Sequence, residues 1–142
     1  MSFASFGTLS IPEQLKEPSE RIVTEIINCE FSRAINICDS LKITCPQDPM
    51  PSLLKLAAMG MRDIDCEQIF DSVGFLKEYQ ITDSLIRAYS LQNGISSYIL
   101  TLDGFSKAMH AAFYLRQKAY FSVLQNGVDA IRLMREAKEM ED

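Results

Sequence analysis

Apolar side chains recur along most of this chain at intervals of three and four residues, the spacing that lays them on one face of an α-helix. The cleanest run is Phe31, Ala34, Ile35, Cys38, Leu41 and Cys45, which predicts a helix over about 31–44 that Pro46 ends. Upstream, Ile22, Val23, Ile26 and Ile27 keep the same period behind Pro18-Ser19-Glu20, so a short helix is expected there with Ser19 as its N-cap. Residues 1–17 carry Gly7, Pro12 and several hydroxyl side chains, and read as an irregular lead-in docked through Phe3, Phe6 and Leu9. The segment 46–51 holds three prolines and predicts a rigid connector biased to extended backbone.

The remaining pattern predicts four more helices. Residues 52–61 are rich in Leu, Ala and Met and apolar nearly all round, which places that helix between neighbours. Asp63, Asp65, Glu67 and Asp71 mark an acidic connector over 62–72. A helix over about 73–92 turns Phe75, Leu76, Tyr79, Ile86 and Tyr89 inward, and Asn93-Gly94 stops it. Ser96 or Ser97 caps the next, which runs to about 117 with Tyr98, Leu102, Phe105, Met109, Ala112 and Phe113 on its seam. The last, over about 120–140, carries Tyr120, Val123, Leu124, Gly127, Ala130, Ile131, Met134 and Ala137. No stretch alternates strictly, so no sheet is expected. The fold class is all-α, with stacked antiparallel helix pairs in one domain over 18–142.

Composition narrows the function classes. The chain has 142 residues, 47% of them apolar, enough for a core of its own. Its net charge is −5, with 14 basic residues scattered among 19 acidic ones, and no basic stripe of the kind a nucleic-acid binder presents. No run of about 18 apolar residues predicts a membrane span. The N-terminus has no signal-peptide pattern, and a cytoplasmic location is the expectation. Cys29, Cys38, Cys45 and Cys66 show none of the tight pairing of zinc or redox motifs, and read as reduced, small core residues.

Chemistry is sparse. His110 is the only histidine; Asp103 stands two helical turns away, too far for a direct hydrogen bond along one helix, so a packing or groove-lining role is expected. The acidic run from Asp63 lacks the glycine and the final glutamate of a calcium loop, since Gln68 and Gly74 occupy those offsets. The stretch Gly104-Phe-Ser-Lys107 lacks the second glycine and the preceding strand of a phosphate loop. No catalytic residue, metal or cofactor is expected.

The stretch 31–48 resembles the second helix of a tetratricopeptide repeat. Phe31 holds the aromatic position, Ala34 the small one, Cys38 the next packing position and Pro46 the helix-ending proline. A weaker echo covers 120–137, with Tyr120 and Gly127 at packing positions and Arg135 where the proline would stand. Gly104 and Ala108 on the fifth helix suit close contact with Gly127 on the sixth. The layout is similar to a group of bacterial tetratricopeptide-like proteins of unassigned function, most so over 104–115 and 118–127. Such proteins usually continue into further repeats. The last hairpin here is therefore expected to be capped by the lead-in, to pair in a homodimer, or to belong to a shortened copy.

The expected function is a non-catalytic interaction or scaffold module. It holds a protein partner in a groove formed by the first helix of each pair, lined by Arg62, Lys107, His110 and Tyr114. The alternative is a small ligand-binding protein with an apolar pocket between helices.

Overall fold

The computed structural model describes residues 11–116 and 120–141, with side chains from 125 onward in the second stretch. Six helices follow one another: α1 (Glu13–Ile27), α2 (Phe31–Thr44), α3 (Met50–Asp65), α4 (Ser72–Asn93), α5 (Ser97–Arg116) and α6 (Tyr120–Glu141). The protein is all-α, its helices packing in neighbouring pairs, with no strand among the described residues.

The first helix corrects the expected lead-in. It begins at Glu13, so 13–17 are helical, and Pro18 lies inside it. Ser19 is not a cap but a fully buried side chain. Proline lacks an N–H, so α1 loses one backbone hydrogen bond near its start. Leu15, Ser19 and Ile22 are all 0% exposed, and burial of this face holds the helix together across the proline. Phe3, Phe6 and Leu9 lie outside the described residues.

The acidic connector shortens to 66–71, because α3 runs on to Asp65. Asp71 caps α4: its Oδ1 accepts the Gly74 N–H at 2.8 Å. A Cβ on Gly74 would lie 2.1 Å from Asp71 Oδ2, so any side chain there displaces the cap. Alanine for glycine inside a helix ordinarily gains about 1 kcal/mol. Losing an Asp cap costs about as much. Gly74→Ala is therefore expected to leave the urea midpoint unchanged or lower it; a clear rise would show that Asp71 contributes nothing. At the next junction the Ser96 Oγ accepts the Ile99 N–H at 3.3 Å, and Gly94 takes a positive φ of 81° to end α4.

Packing follows the order of the chain, with one addition. Each helix lies against its successor, and α1, α3 and α5 also touch in a row. The apolar α3 thus lies among α1, α2, α4 and α5, as its all-round apolar character demands. One core cluster joins the first five helices through Leu15, Ile22, Ala34, Leu53, Ile86 and Tyr98. A second stacks Phe75 on Phe113, ring centroids 4.6 Å apart, beside Leu56 and Met59.

The tetratricopeptide-like positions divide. Phe31, Ala34 and Cys38 are buried, and Pro46 follows α2 at the surface. Gly104 is buried where α5 meets α6, and a Cβ there would lie 2.8 Å from Met134 Cγ and 3.4 Å from the Ala130 carbonyl. Gly127 is not the other half of that contact: among the described residues, nothing lies within 4 Å of where its Cβ would be. The helices cross about one to two turns further along α6 than expected, against Ala130 and Met134. Ala108 is half-buried, and the Tyr120 side chain lies outside the described residues. Of the cysteines only Cys38 is a core residue; Cys29 and Cys66 are exposed.

Candidate functional site

Three of the four residues expected to bind a partner come together between α4, α5 and α6. The Lys107 ammonium donates to the Tyr79 hydroxyl at 2.8 Å and lies 3.5 Å from Asp83. The His110 ring stacks on Tyr79 at 3.8 Å between centroids, and Tyr114 is tilted against His110 at 4.5 Å. His110 Nδ1 lies 3.2 Å from the Asn126 carboxamide oxygen. These groups engage one another across three helices, and His110 Nε2 is buried with no hydrogen-bond partner among the described residues. Burial lowers the His110 pKa, outweighing the Asn126 contact, so the imidazole is neutral near pH 7. Burial opposes the Lys107 charge, but the Tyr79 hydrogen bond and the nearby Asp83 and Asp103 hold its pKa above the usual range. Burial also raises Asp103, whose Oδ1 has no hydrogen-bond partner.

Arg62 does not join this group. Its guanidinium lies over the Phe70 ring, 4.9 Å from the centroid, with Nε 3.8 Å from Asp63. Arg62 lines instead a cleft of about 430 Å³ floored by α3 and walled by α2 and α4. Lys42, Lys55 and Lys77 share that cleft, with Ile35, Met59 and Ile81 as its apolar surface.

The cleft is built around a buried carboxylate. Glu78 is 5% exposed; its Oε1 accepts from Lys42 at 2.6 Å, and Lys55 lies 3.9 Å from its Oε2. Lys55 also donates to Asp39 at 2.8 Å. Burial alone would lower the Lys55 pKa, yet the Asp39 hydrogen bond and the Glu78 and Asp39 charges carry it upward, so it stays protonated. These four groups form an alternating, internally neutral chain from α2 through α3 to α4. Lys77 is exposed, and no carboxylate lies within 4 Å of it among the described residues. Next to this chain, burial first and then the Asp39 charge push the Cys38 thiol up to about 12, which leaves it unreactive.

The sequence reading missed Lys42, Lys55, Lys77 and Glu78. A signal for Glu78 was available: Phe75, Glu78, Thr82 and Ile86 share one helical face, and all are buried. A carboxylate in an apolar stripe implies a buried counter-ion. Which lysines supply it depends on how α2 and α3 pack, and local spacing does not carry that.

Comparison with known proteins brings no relative to this arrangement: no family model, no curated protein and no solved structure matches the chain. The remaining described clefts also carry charged side chains. One of about 490 Å³ lies beside Asp48, whose carboxylate accepts from the Tyr98 hydroxyl at 2.9 Å and the Met50 N–H at 2.8 Å, pinning the α2–α3 connector to α5. Another, about 400 Å³, lies beside Asp63 and Arg116. No group of three or more potential metal ligands occurs among the described residues, and none of their helices is long and apolar enough to cross a membrane.

Proposed function

We propose that this chain is a non-catalytic interaction module of tetratricopeptide-like design, presenting its stacked helices to a partner protein. The observation that carries this reading is the packing order. The odd-numbered helices touch in a row while α2 and α4 stand on either side of a charged cleft, the arrangement in which repeats expose a rigid recognition surface. One further fact supports it. The Lys107, Tyr79 and His110 side chains are engaged with one another, as a packing role requires. The apolar-pocket alternative draws no support from the described clefts, since charged or amide side chains line each of them.

The test is a photo-crosslinking residue placed at position 77 in the full-length chain and exposed to an extract of the source organism. A discrete product with another protein is expected from position 77 and not from position 138 on α6. Absence of any heterologous product from the cleft or from positions on the other helices would overturn the module reading.

A further inference from the structure

We infer that the α2–α4 cleft takes an acidic segment of a partner protein, a step that rests on the module reading above. The argument is one of charge left over. Four cations line the cleft in a chain whose net charge is −5. Lys42 and Lys55 are matched within the cleft wall by Glu78 and Asp39. That leaves Lys77, with Asp71 as the other acidic group in the lining, and Arg62, which shares the buried Asp63 with Arg116. Asp71 also serves as the cap of α4, its Oδ1 accepting the Gly74 N–H.

Arg62 is held only loosely by its own neighbours. Its nearest carboxylate oxygen lies at 3.8 Å, beyond hydrogen-bond reach, and its buried Nε has no hydrogen-bond partner among the described residues. A guanidinium in that condition accepts a second carboxylate readily, because its donors form a planar fork matched to two oxygens. Beyond these charges lie Ile35, Met59 and Ile81. The complementary ligand therefore carries carboxylates flanking an apolar side chain. Nothing in this requires a phosphate.

The probe is a fluorescein-labelled synthetic peptide, Glu-Glu-Leu-Glu-Glu, titrated with the purified full chain and read by fluorescence anisotropy. Saturable binding is expected at low salt, weakening as salt is raised. K77E and R62E together should weaken it at least tenfold. K138E, with the same charge change per residue at an exposed site on α6, should change it less than twofold. Circular dichroism of the double variant should retain the helical signal; if it does not, K77E alone, at an exposed position, takes its place with a threefold criterion. The inference is overturned if the peptide does not bind, if K138E weakens binding as much as K77E, or if a labelled oligouridylate binds more tightly than the peptide. Crosslinking from position 77 to a protein that the peptide fails to displace would sink this inference while leaving the module reading intact.

Discussion

Phe113→Ala is expected to cause the largest loss of stability of any single side-chain truncation in the α3–α5 core. Phe113 is fully buried and stacks on Phe75, also fully buried, with the ring planes 5° from parallel. Truncation removes the apolar surface and the ring pairing together and leaves a void between helices that cannot close fully. Losses of this type run to about 3–5 kcal/mol. Against a total stability on the order of 10 kcal/mol for a domain this size, the variant remains folded but loses much of its margin. The thermal midpoint should fall by on the order of 10 °C. Phe113→Leu should cost less than half as much, since it keeps most of the volume. If the alanine variant melts within a degree or two of the parent, the stack does not hold α4 to α5.

The second large effect is electrostatic. Asp63 is 1% exposed and accepts a hydrogen bond from the Phe70 N–H at 3.3 Å. Arg62 approaches one of its oxygens at 3.8 Å and Arg116 the other at 3.9 Å. One buried carboxylate thus serves two guanidinium groups, from α3 and from the end of α5, and also fastens the 66–71 connector. Removing a buried partner leaves the opposite charge without compensation, at a cost of about 3–5 kcal/mol where both are fully desolvated. The arginine side chains here keep 25% and 20% of their exposure, so screening brings the expected loss toward about 2 kcal/mol. Asp63→Asn should cost nearly as much as Asp63→Ala, because charge rather than volume is missing. Chemical denaturation of both variants checks this. An Asn variant as stable as the parent would mean that the two guanidinium groups do not depend on the Asp63 charge.

How far such features can be read from the chain depends on whether they are local. The helix over Phe31–Thr44 is legible to the residue because its apolar period and Pro46 act within the segment itself. Ser19 misleads because a hydroxyl after a proline is an ordinary cap signal. The burial of Leu15 and Ile22 against other helices decides the matter, and that is a tertiary fact. Asp71 was equally local, an acid three residues before a glycine at a helix start, and its capping role could have been read directly. The α5–α6 contact was legible in kind: a helical glycine against a neighbouring helix. It was not legible in register, because nothing in Gly104 or Gly127 says how far one helix slides along the other. The candidate site was the least legible part. Arg62 and Lys107 both lie on polar stretches, yet Arg62 lines a cleft while Lys107 is bonded to Tyr79, and the lysines around Glu78 come from two separate helices.

The row formed by α1, α3 and α5 gives the molecule a middle and two ends. Among the described residues α3 meets four other helices, whereas α6 lies against α5. In a stack where each layer touches only the next, the free energy needed to open a layer grows with the number of neighbours it must leave. Loss of the C-terminal helix would break one interface, the most extensive in the fold, and would spare Glu78 and its lysines, whereas release of α3 would break contacts with four helices. A partner seated between α2 and α4 would rest on the portion of the protein that opens last, and its residence would be insulated from fraying at the far end.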